Sequence, residues 1–190
     1  MTIIQPPERS VSLPPLNQVV SPNQSTRRGT VPFLIVVHRP VGGYQSAIRT
    51  LCDPASEASA HIVTDSGREA TQLVPWDRKA WSCRTFNSVS YNVEVDDDAW
   101  TGDTAGFNAA ARIVAFLCTR TGIPPRWSTS PTHKPGVIRH YDLGKAGGGH
   151  TDPTLDVRVW QRFIERVTFE HKHGVFRPAY GAGELHRIDL

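Results

Sequence analysis

Apolar positions in the first half of the chain fall into short runs and one helical repeat. FLIVVH (residues 33–38) is a continuous run rich in branched residues that ends in His38, which is typical of a buried central strand. The next segment, residues 44–51, has the spacing of an amphipathic helix. ASAHIVTDSG (58–67) and EATQLVP (69–75) flank a turn signal and predict a β-hairpin.

The second half of the chain continues this alternation. YNVEVD (residues 91–96) alternates as a strand does and carries Glu94. Helical spacing follows over residues 104–120, a strand over 136–140, and a last helix over 156–169. Strands and helices in this mixed order, with one hairpin embedded, predict a single α/β domain: a mixed central β-sheet flanked by helices.

The two ends of the chain lack such periodicity. Residues 1–30 combine Pro, Ser, Asn and Gln, which favours a linker or a disordered N-terminal arm. Residues 170–190 contain Gly, His and Pro and are assigned as a C-terminal tail. The folded domain is therefore expected over residues 31–169.

Composition excludes several classes of protein. The chain has 190 residues, enough for one domain with a core, and its 21 Lys plus Arg against 18 Asp plus Glu give a net charge of only +3. Without a dense basic run, no nucleic-acid partner is expected. The three cysteines form no Cys-x-x-Cys pair, so a disulfide framework is not expected, and Cys118 fits a helical core position.

The N-terminal residues and the length of the apolar runs bear on localisation. Residues 1–30 hold prolines and charges where a signal segment would be apolar, and no apolar run is long enough to span a bilayer. We therefore expect synthesis in the cytoplasm, without a signal peptide and without membrane insertion.

The segment GGGHTDPT (147–154) carries the most distinctive chemistry. It follows a strand that ends in His140 and places Asp152 on a glycine-loosened loop. Together with His38, these residues can form a zinc site of two histidines and one carboxylate, which leaves a coordination position open for water or substrate. The alternatives are structural histidines at the two strand ends and a helix-capping role for Asp152.

Two further residues can take part in such a reaction. Glu94 would accept a proton from metal-activated water if its side chain faces the metal, and would otherwise point into solvent. His150 can stabilise an oxyanion as a carbonyl becomes tetrahedral, and would otherwise be a solvated side chain.

Several spaced segments, in this order, resemble the zinc-dependent N-acetylmuramoyl-L-alanine amidases of the type-2 family. That family includes phage endolysin domains and is related to peptidoglycan recognition proteins. The resemblance covers residues 31–167. It is carried by FLIVVH, ASAHIVTDSG, QLVPWDRKAW, SYNVEV, and VIRH followed by HTDP.

The resemblance assigns roles to residues of this chain. It implies His38, His140 and Asp152 as Zn²⁺ ligands, with Glu94 as general base. His150 stands where many relatives have Lys, a departure that makes its charge depend on pH near neutrality. Trp81-Ser82-Cys83 stands where the family often has Trp-His, so a substrate contact from that histidine is missing.

Further residues are implied to bind substrate or support the site. His61 matches a histidine common in the family's second strand, and is interpreted as lining the cleft or supporting the ligands. Other groove candidates, chosen because they flank the matching segments, are Tyr44, Trp81, Asn87 and Lys145.

The implied activity is hydrolysis of the amide between N-acetylmuramic acid and L-alanine in peptidoglycan, by a monomer that acts on the cell wall after release. This fits a phage endolysin or its catalytic domain. The alternatives are a cytosolic amidase that recycles muropeptides and a peptidoglycan-binding module without catalysis. A zinc peptidase of unrelated fold is disfavoured because no His-Glu-x-x-His motif occurs.

Overall fold

The computed structural model describes residues 16–65, 69–100 and 105–174. Its helices are α1 (Gly43–Cys52), α2 (Ala105–Thr121) and α3 (Val157–His173). Its strands are β1 (Leu16–Gln18), β2 (Gln24–Thr26), β3 (Leu34–His38), β4 (Ile62–Thr64), β5 (Ala70–Gln72), β6 (Arg78–Ala80), β7 (Ser90–Val95) and β8 (Gly136–Arg139). Short 3-10 helices occupy residues 54–56, 84–89, 97–100 and 140–147.

A mixed six-stranded sheet organises these elements in the order β1-β5-β4-β7-β3-β8. Strands β4, β7, β3 and β8 run parallel to one another, whereas β5 is antiparallel to β4 and parallel to β1. The predicted hairpin is therefore present as β4 and β5, although its turn at residues 66–68 lies outside the described chain. The α/β class and the mixed central sheet predicted from the sequence are confirmed.

Strand β3 is buried on both faces, which explains its uninterrupted apolar sequence. Ile35 and Val37 belong to the core that β3 shares with α2 and α3, where Trp160 and Phe163 are fully buried. Leu34 and Val36 point to the opposite face of β3 and belong to a second apolar cluster. The residues packed there are Leu34, Val36, Cys83, Phe86, Ile138 and Leu143. With β7 on one side and β8 on the other, β3 is an interior strand of the sheet, next to the edge strand β8 rather than at the centre.

The predicted helices are present with small shifts of their ends. Helix α1 packs against β4 through a separate cluster that includes Ile48, Leu51 and Val63. Cys118 of α2 is 1% exposed, as its place in the apolar repeat predicted. No helix in the described ranges has both the length and the apolar character needed to cross a bilayer.

The prediction of a linker over residues 1–30 is wrong for residues 16–30. Strand β1 pairs with β5 and β2 pairs with β6, so this segment is part of the fold. Asn23 is 3% exposed and donates hydrogen bonds to the carbonyl oxygens of Asp53 and Ala58. Hydrogen bonds of this kind allow polar residues to be buried, so the segment folds without an apolar repeat in its sequence. Residues 1–15 lie outside the described chain.

The predicted start of the C-terminal tail at residue 170 is also corrected. Helix α3 continues to His173, and Glu170 is 2% exposed. Its carboxylate lies 2.6 Å from Arg166 Nη2 and 3.5 Å from Arg112 Nε, so two cations allow a charged residue to extend the helix inside the protein. Residues 175–190 fall outside the described ranges.

The role of Asn23 gives a direct test of the folded N-terminal segment. We expect Asn23→Ala to lower the free energy of unfolding by about 1–3 kcal/mol, because buried carbonyls lose their donor. Val20→Ala is the matched control, since Val20 is 70% exposed and should change stability by no more than about 0.5 kcal/mol. Equal urea midpoints for Asn23→Ala and wild type would contradict this account.

Candidate metal centre and cleft

The candidate site lies where three neighbouring parallel strands end. His38 is the last residue of β3, Glu94 lies opposite it in β7, and His140 directly follows β8. The carboxyl ends of adjacent parallel strands share one edge of the sheet, where side chains for binding and catalysis meet. His38 and His140 are each 3% exposed, with ring centroids 4.4 Å apart.

Asp152 reaches this edge from the loop before α3. Its Oδ2 lies 3.6 Å from His38 Nδ1 and its Oδ1 lies 3.3 Å from His140 Nδ1. The Arg39 N–H donates to Asp152 Oδ2 at 3.2 Å, which ties the loop to the end of β3. The capping alternative for Asp152 is not realised, because Asp156 caps α3 by accepting from the Arg158 N–H.

The far edge of each imidazole faces a carbonyl oxygen. His140 Nε2 lies 3.0 Å from the Gly147 oxygen, and His38 Nε2 lies 3.0 Å from Asn92 Oδ1. A carbonyl oxygen only accepts, so both Nε2 atoms carry the proton and both Nδ1 atoms can offer a lone pair. Glycine is required at 147, because a side chain there would collide with Leu143.

His140 Nδ1 shows that the donor set suits a metal. This atom is buried and, although Asp152 Oδ1 lies 3.3 Å away, the two are not aligned as a hydrogen bond and no other described residue supplies one. Such an arrangement is costly unless another group binds there. Two imidazole nitrogens and one carboxylate are the ligands of an open, catalytic type of metal site. His38, His140 and Asp152 can therefore hold a metal ion.

The charges of the site fit this assignment. Burial alone would raise the pKa of Asp152, but the imidazoles of His140 and His38 outweigh it and hold that pKa well below its usual range. Burial alone would lower the pKa of His38, yet Cys83, Glu94 and Asp152 together raise it. In the metal-free protein these directions favour a second proton on His38, at Nδ1 beside the ionised Asp152, and metal binding would release that proton and free the Nδ1 lone pair.

Glu94 and His150 complete the group of residues that the sequence predicted. Glu94 Oε1 lies 4.0 Å from His38 Nδ1, and burial, aided by Asp152, raises the pKa of Glu94. His150 is 56% exposed and stacks on His140 with ring centroids 4.5 Å apart. Burial and the neighbouring His140 lower the pKa of His150. The structure thus brings all five predicted metal and catalytic residues together.

Cys83 is a neighbour of the site that the sequence did not predict. Cys83 Sγ and one ring nitrogen each of His38 and His140 lie within 4.8 Å of one another. The ligand atoms of His140, His150 and Asp152 form a second group with the same spacing. However, Cys83 Sγ approaches the Nε2 edge of His38, at 3.5 Å, and donates to Asn92 Oδ1 at 2.9 Å. Burial raises the pKa of Cys83, which favours a thiol over the thiolate that metals bind. The set that includes Asp152 therefore suits a metal better.

An open cleft of about 1200 Å³ leads to these side chains. Of the predicted groove residues, Trp81 and Asn87 line it, as does Arg84, which was not predicted. Asn87 also accepts from the backbone N–H groups of Ser82 and Cys83, so it shapes the loop that carries Trp81.

The other predicted substrate contacts are corrected. Tyr44 is buried against Thr71, with 2.5 Å between the hydroxyl oxygens, and does not line the cleft. Lys145 is exposed on the 3-10 helix at 140–147, outside the cleft lining. Both residues were predicted only because they are close in sequence to the matching segments. Closeness in sequence does not fix the direction of a side chain, so both predictions were wrong.

His61 supports the site from within the core. It is fully buried, and burial together with Arg27 lowers the pKa of His61 to about 3, so the ring is neutral. Its Nδ1 accepts from the Asn92 N–H at 3.0 Å, and its Nε2 faces the Arg78 carbonyl at 3.1 Å. The substrate-binding assignment of His61 is therefore wrong, and its supporting role is the one that fits.

A mixed β-sheet flanked by helices, with two histidines and one carboxylate that can hold a metal at its carboxyl edge, is an arrangement suited to a metal-dependent hydrolase. Residues 28–154 match the N-acetylmuramoyl-L-alanine amidase family, and the chain belongs to that family. It is also similar to N-acetylmuramoyl-L-alanine amidase A of Achromobacter lyticus, with 29% identity over 111 residues. That match covers 56% of this chain and 62% of the relative, so the chain spans less than two thirds of the relative's length.

Solved structures of low identity share the fold. The Staphylococcus aureus hydrolase AmiA, determined with its ligand, matches with a TM-score of 0.68 at 19% identity, over 84% of this chain and 86% of AmiA. The catalytic domain of XlyA gives 0.61 at 20% identity, over 80% and 99%. The Ph2119 endolysin from a Thermus scotoductus bacteriophage gives 0.58 at 18%, over 80% and 99%.

The assignment of Asp152 as a ligand predicts a loss of metal binding. Loss of a residue that only supports a ligand costs about 10–100-fold in metal affinity, so Asp152→Ala should cost at least about 100-fold. Competition with a chelator measures this, and His150→Ala is the control that should stay close to wild type. A larger loss in His150→Ala than in Asp152→Ala would make His150 the ligand.

Proposed function

We propose that this protein uses Zn²⁺ to hydrolyse the amide bond between N-acetylmuramic acid and L-alanine in peptidoglycan. One observation carries the proposal: two imidazole Nδ1 atoms, the Asp152 carboxylate and Glu94 meet at one end of an open cleft. Membership of the amidase family supplies the substrate class.

Zinc suits the donor set better than harder or softer ions do. Nitrogen from His38 and His140 with oxygen from Asp152 would give zinc three protein ligands and would leave a position open for substrate or water. The chemistry supplied by a bound zinc ion is polarisation of the scissile carbonyl and a lower pKa for attacking water.

Glu94 is placed to move the proton. Its carboxylate lies on the Nδ1 side of His38, and therefore on the same side as Asp152. A buried carboxylate with a raised pKa is a stronger base than an exposed one and can take a proton from the attacking water. The same group then returns the proton to the leaving amine of L-alanine.

His150 is placed to brace the oxygen that becomes negative. It stacks on His140 and is largely exposed to the cleft. Because the pKa of His150 is lowered, the neutral ring donates through one N–H, without the charge that a lysine would bring. At the position where many relatives have a lysine, His150 therefore supplies a hydrogen bond but no positive charge.

The cleft walls favour a substrate with both apolar and anionic parts. The indole of Trp81 is fixed by its N–H bond to Ser25 Oγ, at 2.9 Å, and offers an apolar face. Arg84, with φ of 48°, is held in the left-handed region beside His150 and presents a cation that suits the carboxylates of a stem peptide. Glycan and peptide can thus be bound together.

The rival without catalysis, a peptidoglycan-binding module, is disfavoured by the intact donor set, because loss of catalysis typically removes a ligand.

We further propose that the protein is a monomer that acts on the cell wall after release, as an endolysin would. A cytosolic recycling amidase differs in substrate, since it would prefer soluble muropeptides.

The proton-transfer role predicts a separation of metal binding from turnover. Glu94→Gln should lower kcat by about 10²–10⁴-fold while zinc content stays at that of wild type. Glu165→Gln is the control, because Glu165 is exposed on α3, across the sheet from the cleft. Near-normal turnover in Glu94→Gln would remove Glu94 from the role of base.

The bond that is cut can be read from the products. We expect purified peptidoglycan to yield free stem peptides that begin with L-alanine, together with intact glycan strands, by mass spectrometry. Shortened glycans would indicate a muramidase, and peptides cut internally would indicate an endopeptidase. Faster cleavage of soluble muropeptides than of intact walls would favour the recycling role.

A further inference from the structure

Asn92 lies behind His38, on the side away from the cleft. It is fully buried in β7, directly opposite Val36 of β3. Its Oδ1 faces two groups at once, His38 Nε2 at 3.0 Å and Cys83 Sγ at 2.9 Å. A buried amide oxygen with two neighbours of this kind must accept from both.

The orientation of the Asn92 carboxamide is fixed by its other end. Asn92 Nδ2 donates to Ser90 Oγ at 3.2 Å, and the Ser90 hydroxyl is already used as a donor to the Phe86 carbonyl at 2.9 Å. Exchanging the oxygen and nitrogen of Asn92 would place an acceptor against Ser90 Oγ and a donor against His38. The network therefore specifies one orientation, with Oδ1 toward the histidine.

The backbone at Asn92 is held as well. Its N–H donates to Nδ1 of the neutral His61 ring, and strands β3 and β7 keep their register from Leu34 to His38. The carboxamide thus stands on a rigid element, which is what a group that orients a metal ligand requires.

We propose that Asn92 is the positioning residue of the metal centre: it holds the proton of His38 on Nε2 and so presents Nδ1 to the metal, while the Cys83 thiol serves as the second donor that locks the carboxamide. This inference rests on the proposed zinc site. It assigns Cys83 to the support of a ligand, although its sulfur lies close enough to the histidines to suggest a ligand itself.

The experiment is a zinc titration of the full chain in competition with a chromophoric chelator. Asn92→Leu removes the acceptor and should weaken zinc binding by about 10–100-fold. Asn92→Asp keeps an acceptor for both donors and should bind zinc more tightly than Asn92→Leu, although its second oxygen meets Ser90 Oγ, whose hydrogen is already donated to Phe86. Thr71→Val is the matched control, because Thr71 is also fully buried and hydrogen-bonded on the sheet but contacts Tyr44.

A second pair of variants answers the same question without changing β7. Cys83→Ala removes the donor to Asn92 and should weaken zinc binding by up to about tenfold. Cys83→Ser keeps a donor and should have a zinc affinity close to that of wild type. If the Asn92 variants do not fold, as urea denaturation would show, this pair decides.

The outcomes separate this inference from the function on which it rests. Wild-type affinity in folded Asn92→Leu, or in Cys83→Ala when Asn92→Leu does not fold, would overturn the role of Asn92. Equal losses in Asn92→Leu and Thr71→Val would overturn it too, because they would indicate a general effect of core damage. If the wild-type chain itself binds no zinc, the proposed function fails.

Discussion

The candidate metal centre depends on the hydrogen bonds that two buried imidazole rings make through their Nε2 atoms. His38 and His140 are almost wholly removed from solvent, and a buried ring nitrogen without a partner is costly. Asn92 Oδ1 and the Gly147 carbonyl each accept from one Nε2, which leaves both Nδ1 atoms directed at Asp152. The order of strands around β3 brings these partners together.

Much of this arrangement could be predicted from the sequence. The apolar run of β3 identifies a strand buried inside the sheet, because burial on both faces needs apolar residues throughout. A histidine at the end of such a strand then lies where the carboxyl ends of the parallel strands meet. The same reasoning placed His140 after β8. Asp152 could be placed because the glycine-rich segment before it had to connect β8 to a recognisable amphipathic helix.

Apart from His61, whose supporting role was one of two interpretations of the family resemblance, the residues that support the ligands could not be predicted, for a physical reason. Ser90, Asn92 and Glu94 alternate with apolar residues in β7, the pattern of a strand with one face in water, yet the whole strand is buried. Their partners, such as Cys83 and the His61 ring, come from distant segments, so no local pattern reveals them. The strands within residues 16–30 could not be predicted for a related reason, since each spans only three residues and buried polar side chains between them, such as Asn23, produce no apolar repeat.

X-ray absorption at the zinc K-edge of the zinc-loaded protein tests the central claim most directly. Ligation by His38, His140 and Asp152 predicts a first shell of nitrogen and oxygen atoms only, at about 2.0–2.2 Å, with imidazole scattering from two rings. A sulfur scatterer at about 2.3 Å would show that Cys83 binds the metal, and would contradict both the ligand set and the supporting role given to the thiol.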